Sequence, residues 1–364
     1  MYFCTAKKIC VYNMKLKIFC AAVVAAMCTL GAVAAERWSA EKANAWYAQL
    51  PWMVGSDYIP ASAINQIEMW SADTYDRPTI DKELTWAQDL GFTTLRVYLS
   101  SVVWKNDPVG MKERIDDFLG RCKNHNLRPM LVFFDDCWNE ESAYGVQPAP
   151  KPGEHNSGWV KDPAISLRAD TAAVYPVLKA YVQDVLKRFK DDDRVLMWDL
   201  YNEPGNGTKH NISLELLKNV FAWARDVNPS QPLTSGVWSD QGEINTVQLA
   251  CSDVVSYHCY SDEKYHATVI DSLQRYGRPL VCTEYMARTH GSKFQNILPL
   301  LKKHKVVAIN WGFVAGKTNT IFSWEKKMPD VKEPPVWFHD IYRQDGTPFD
   351  PEEVKLIKKL TGKK

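Results

Sequence analysis

A chain of 364 residues with 46% hydrophobic content and a formal net charge of +1 can bury a large core, and it has no electrostatic bias toward nucleic acid or anionic membranes. Its 14 tryptophans and 16 tyrosines exceed ordinary usage. Such side chains join a flat apolar face to a polar handle, as a sugar-binding wall requires, but composition alone reads as readily as an aromatic-rich core.

Met14 opens "MKLKIFCAAVVAAMCTLGAVAA", in which Lys15 and Lys17 form a positive start, an apolar run follows, and Ala32-Val33-Ala34 offers small residues for cleavage. We expect residues 1–35 to be a secretory signal, with 1–13 as a start-site extension, and residues 36–364 to form one exported domain, secreted or periplasmic. The apolar run is too short and too poorly flanked for a membrane span. Met27 before Cys28 is too bulky for the small residue of a lipid-attachment signal. Beyond that segment lie Cys122, Cys137, Cys251, Cys259 and Cys282, an odd set with no CxxC pair, which reads as buried thiols with room for one disulfide. His258, Asp262 and His266 in "HCYSDEKYH" fit no strong metal spacing, so neither a metal nor another cofactor is expected.

Short apolar runs recur along the chain at 52–59, 93–100, 128–135, 194–203, 232–238, 253–260, 279–286 and 306–313. Between them lie amphipathic stretches of helical spacing, such as 79–91, 110–126, 171–190 and 291–305; the fifth, "QGEINTVQLACS", is the weakest. Strand then helix, repeated eight times, predicts an α/β fold, a (β/α)8 TIM barrel in a single domain. A doubly wound open sheet would bring a glycine-rich phosphate loop after an early strand, and none is present. Residues 36–50 read as a leading helix and 350–360 as a closing one, with Asp350 as N-cap and Pro351 in its first turn. The longest irregular stretch, 137–168, carries Trp138, Tyr144, His155 and Trp159 among prolines and glycines and suits a binding loop.

In such a barrel the C-terminal strand ends converge on one face, where barrel enzymes place their sites. Those ends carry Arg96 on the second strand, Asp135 and Asp136 on the third, Asn202 and Glu203 on the fourth, and Trp238 on the fifth. The sixth ends in His258 and Tyr260, the seventh in Glu284, the eighth in Trp311. Glu203 and Glu284 then face each other across the mouth. Such a pair can break a glycosidic bond, one protonating the leaving oxygen while the other attacks the anomeric carbon or activates water. Arg96 and the Tyr260 phenol would hold Glu284 ionised, leaving the less compensated Glu203 to keep its proton. Alternation lets at most one of Asp135 and Asp136 point inward, and the same holds for Asn202 and Glu203 unless the strand ends or bulges there. Structural readings compete: Arg96 as the buried ion-pair partner of Asp199, His258 as a satisfied core histidine, Trp238 and Trp311 as caps on the barrel core.

These residues resemble the large clan of retaining barrel glycosidases that includes the cellulase and endo-mannanase family, glycoside hydrolase family 5, with its β-galactosidase and β-mannosidase relatives. "NEP" at 202–204 is similar to the clan's fourth-strand motif, implying Glu203 as acid/base and Asn202 as the partner of the sugar 2-hydroxyl. "TEY" at 283–285 is similar to its seventh-strand motif, implying Glu284 as nucleophile. "HCY" at 258–260 matches the sixth-strand His-x-Tyr, Arg96 the second-strand arginine, and Trp311 the aromatic under the sugar ring. The chain departs at the third strand, where relatives often carry a histidine and this sequence reads "FFDDCW"; Asp136 is the sugar ligand expected there, and Trp238 a further one. The resemblance implies a metal-independent β-glycosidase acting on an oligosaccharide or polysaccharide with retention. Two alternatives keep the same residues: a carbohydrate-binding barrel without catalysis, and a transglycosylase.

Overall fold

The computed structural model describes residues 36–363, and the expected leader lies outside them. All eight expected strands form: β1 Val54–Asp57, β2 Thr94–Tyr98, β3 Met130–Asp135, β4 Met197–Asn202, β5 Leu233–Thr234, β6 Val255–His258, β7 Leu280–Glu284 and β8 Val307–Asn310. They are parallel and ordered β5-β4-β3-β2-β1-β8-β7-β6. The seam between β5 and β6 is closed by the bridge of Val237 with Tyr257, so the sheet curls into a barrel.

The helices are α1 Ala40–Tyr47, α2 Gln66–Trp70, α3 Arg77–Asp89, α4 Ser101–Asn106, α5 Pro108–Asn124 and α6 Thr171–Phe189. They continue with α7 His210–Val227, α8 Glu243–Cys251, α9 Glu263–Gln274, α10 Phe294–Lys303 and α11 Pro351–Thr361. Helix starts are written locally. Asp107 and Asp350 each precede a proline and accept a backbone N–H of the first turn, from Gly110 and Glu352, pairing an N-cap acceptor with a residue preset for helix. The weak fifth-helix pattern is a true helix, α8, begun at Gly242 without a side-chain cap. Among the described residues no helix is long and apolar enough to cross a membrane.

The barrel interior has two zones. At the bottom, Met53, Met130, Leu196, Met197, Val254, Val281, Val307 and Ile309 form an apolar plug, against which Trp46, Tyr47 and Leu50 of the leading segment pack. Higher up the lining turns polar: Thr234 bonds Ser256 at 2.7 Å, and Asn310 donates to Ser56 at 3.1 Å. A large apolar cluster between sheet and helices supplies most of the buried area. Rigid strands thus end in a polar layer, which is what holds a constellation of charged side chains in place.

Two connections are long. One, between β3 and α6, is the expected irregular stretch. The other, between β8 and α11 (311–350), has no regular element of its own, and its tryptophans and prolines carry no periodicity that would announce it in the sequence.

Candidate active site

β4 ends at Asn202, and Glu203 takes a left-handed conformation with φ +43°. That single residue breaks the alternation of the strand, so Asn202 and Glu203 both reach the mouth. Glu284 is the last residue of β7, and a register shift at Tyr257/His258 sets His258 beside it. One oxygen of Glu203, one of Glu284 and a ring nitrogen of His258 lie within 4.8 Å of one another.

Each carboxylate has its own set of donors. Glu284 Oε1 accepts from Arg96 Nη1 at 2.8 Å and Tyr98 OH at 3.2 Å, and its Oε2 accepts from Tyr260 OH at 2.7 Å. Glu203 Oε2 accepts from Asn206 Nδ2 at 2.6 Å and the Cys137 thiol at 3.3 Å, and its Oε1 sits 2.7 Å from His258 Nδ1. His258 Nδ1 is also 3.4 Å from Glu284 Oε2, while Nε2 is buried without a partner. The proton is therefore assigned to Nδ1, which faces both carboxylates and can donate to them.

Burial raises the pKa of both glutamates and pushes His258 down to about 4, so the imidazole is neutral near pH 7. For Glu203 the opposing influences are hydrogen bonds from Asn206 and Cys137 and the charges of Arg96 and Lys161. For Glu284 the Glu203 charge adds to burial, and His258, Arg96 and Tyr260 oppose it. Two carboxyls this close disfavour each other's charge. The guanidinium and two phenols bonded directly to Glu284 favour the charged form there more than on Glu203. Arg96 itself is held charged: burial works against it, but Tyr98, Asp199, Asp57 and Glu284 raise its pKa well above the ordinary value.

Both readings of Arg96 hold at once. It bonds Asp199 Oδ2 through Nε at 3.0 Å and Nη2 at 2.7 Å, and it also donates to Asp57, Asn202 Oδ1 and Glu284. Asn202 is fixed at both ends, since its Nδ2 donates to Asp135 Oδ1 at 2.9 Å. Trp311 is half-buried, 6.0 Å from the Tyr98 ring and 5.7 Å from Trp159. Trp238 is half-buried too and donates to the Pro204 carbonyl beside Glu203 at 3.3 Å.

Asp136 is not a sugar ligand. The strand's alternation turns it away from the cavity, where it is fully buried. Its Oδ1 is held by Arg168 at 2.5 Å and Tyr201 OH at 2.7 Å, its Oδ2 by Gly205 N at 2.7 Å and Ser213 at 2.6 Å. It anchors the turn that carries Glu203. Asp135 is the inward residue, accepting from Asn202, Trp159 Nε1 and Cys137 N, and burial pushes its pKa up to about 6. The disulfide allowed by the sequence is also absent for Cys122, Cys137, Cys259 and Cys282, all buried thiols. His258, Asp262 and His266 are separated: Asp262 caps α9, and His266 faces the Tyr257 hydroxyl at 2.9 Å. The one cluster of suitable ligand atoms among the described residues is Glu203, His258 and Glu284, whose oxygens already serve Asn206, Arg96 and Tyr260.

Sequence reasoning missed Tyr98, Cys137 and Asn206. The period-2 rule would have found the first two, since Tyr98 follows Arg96 and Cys137 follows Asp135 by two residues. Trp159, inside the expected binding loop, is buried and packs edge-on against Tyr98 at 5.1 Å. Trp324, from the second long loop, stands 5.0 Å from the Tyr260 ring, and no local signal announces it.

Residues 56–316 match the family model described as "Cellulase (glycosyl hydrolase family 5)". A β-galactosidase of Photobacterium profundum is 27% identical over 165 residues, which span 42% of this chain and only 14% of that protein. An exo-β-1,4-mannosidase from Opitutaceae bacterium strain TAV5 superposes with a TM-score of 0.58 at 18% identity, covering 85% of this chain and 60% of that one. The endo-1,4-β-D-mannanase of Thermotoga petrophila RKU-1 gives a TM-score of 0.56 at 14% identity, covering 85% and 99%. At those identities the structural likeness speaks for the fold.

Proposed function

This chain belongs to the cellulase family, glycosyl hydrolase family 5, and from that premise we propose that it hydrolyses β-glycosidic bonds with retention, Glu284 acting as nucleophile and Glu203 as acid/base. The observation that carries the reading is the pair itself: carboxylate oxygens within 4.8 Å, in unequal surroundings. Inverting enzymes hold their carboxyls about 6.5–9.5 Å apart to admit a water, whereas direct attack needs about 5–5.5 Å.

In this mechanism the reacting sugar lies over Trp311 with its anomeric carbon at Glu284. Glu284 forms an ester to that carbon as the C–O bond breaks, and the Glu203 proton passes to the leaving oxygen. Arg96, Tyr98 and Tyr260 orient Glu284 and limit the charge it must shed. Glu203, now a carboxylate, takes a proton from water, which displaces Glu284 and restores the β configuration. His258 stays neutral and spaces the two acids. The amino-terminal pattern of Lys15, Lys17 and Ala32-Val33-Ala34 supports export of the enzyme.

Aryl β-glycosides of mannose, glucose, xylose and galactose test the reading, mannosides first because fold neighbours carry mannanase and mannosidase names. One of them should be hydrolysed, with the β-anomer formed first by NMR. Initial α product overturns the double displacement; no hydrolysis of any aryl glycoside or polysaccharide overturns the activity.

A further inference from the structure

The two long connections and the loop after β1 are tied into one continuous wall. Between the β3 and β8 connections, Asn156 N donates to Thr318 O at 2.7 Å, Met328 N to Gly153 O at 3.0 Å and Asn319 Nδ2 to Lys151 O at 2.9 Å. His155 Nδ1 lies 2.7 Å from Phe322 O, and Lys327 pairs with Glu154 at 2.9 Å. The β1 loop joins both. Asn65 Nδ2 donates to Gly158 O at 2.9 Å, Gln66 Nε2 to Val160 O at 2.8 Å and Lys317 N to Ala61 O at 3.1 Å, while Lys317 pairs with Glu68 at 2.6 Å. The backbones meet so closely at Gly153 (φ +64°) that a Cβ there would lie 2.0 Å from the Met328 carbonyl oxygen; only glycine permits that approach.

This wall rises over the β1, β2, β3 and β8 side of the mouth. Trp324 extends it past Glu284 to Tyr260 and His290, with ring centroids 5.0 and 5.3 Å away. On the opposite side the connections after β4 (203–209) and β5 (235–242) are short. The acids lie deep at the foot of this wall, their side chains 12% (Glu203) and 6% (Glu284) exposed.

We propose that the wall makes this an exo-acting enzyme that removes single sugars from non-reducing ends, a conclusion that rests on the glycosidase reading above. The leaving oxygen must lie within reach of Glu203, so the leaving group runs out over β4 and β5. The far edge of the same sugar ring then points away from Glu203, toward Trp311 and Trp159, whose rings pack on Tyr98 beside Glu284 and which with Thr320 line a small cavity on the wall side of Tyr98. A second sugar attached at that edge meets the bonded loops. Moving them aside would break several of these hydrogen bonds together.

Paired chromogenic substrates decide it: a nitrophenyl β-monoglycoside and the matching β-1,4-linked nitrophenyl bioside, for each of the four sugars, with products followed by chromatography. The monoside of at least one sugar should release nitrophenolate at once. Its bioside should first yield free monosaccharide and nitrophenyl monoside, with nitrophenolate appearing after a lag. Nitrophenolate released without lag from a bioside, together with intact disaccharide, overturns the exo proposal while leaving the glycosidase standing. Failure of every monoside and every bioside overturns the underlying activity and this inference with it.

Discussion

Replacing Asn206 by alanine should move the basic limb of the pH profile upward. Asn206 Nδ2 donates to Glu203 Oε2 at 2.6 Å and favours the ionised form of that acid. A hydrogen bond to a charged group contributes about 1.5–3 kcal/mol, about ten- to a hundredfold in an equilibrium, so its complete loss raises the Glu203 pKa and favours the protonated acid by up to that factor. The Cys137 and His258 contacts remain, and water can partly replace the amide, so we expect kcat/KM on the basic limb to rise about tenfold. The sign follows from the role. Glu203 must be protonated to act, so kcat/KM falls as pH passes through its pKa; a donor removed from the carboxylate raises that pKa and extends activity to higher pH. The assay is kcat/KM against pH on a glycoside with a poor leaving group, which needs the proton. A basic limb that stays in place, or moves to lower pH, refutes the assignment of Asn206 as the group that tunes Glu203.

Glu203→Ala should slow departure of poor leaving groups by about 10²–10⁴-fold and spare activated aryl groups, because only the former need a proton; equal losses on both would count against Glu203 as the acid. Asp136→Ala leaves the Arg168 guanidinium buried without its 2.5 Å partner, and chemical denaturation should show a loss of about 3–5 kcal/mol; unchanged stability would mean that this network does not anchor the β4 turn. Protein recovered outside the cytoplasm should begin near Ala35 or Glu36 by amino-terminal sequencing, and retention of Met1 or Met14 would remove the export reading.

The barrel was legible in the sequence because its signals are local. Strand runs, amphipathic helices and Asp-Pro helix starts each depend on neighbours within a few residues, and eight repeats leave one architecture. The pair Glu203 and Glu284 was legible for the same reason, as polar residues ending apolar runs. Which face each side chain takes, and what it meets there, depends instead on contacts between distant parts of the chain. Asp135 and Asp136 are chemically identical neighbours, yet alternation turns one toward Asn202 in the mouth and the other toward Arg168 behind the strand. Glu203 escapes the same alternation through one left-handed residue. The neutral state of His258 follows from burial, which outweighs the opposing pull of Glu284, 26 residues away along the chain, and the wall from loops that meet across more than 150 residues of sequence, Lys151 against Asn319 among them. Non-local contacts of this kind leave no period in the sequence, since they are fixed by where the closed barrel brings distant strand ends.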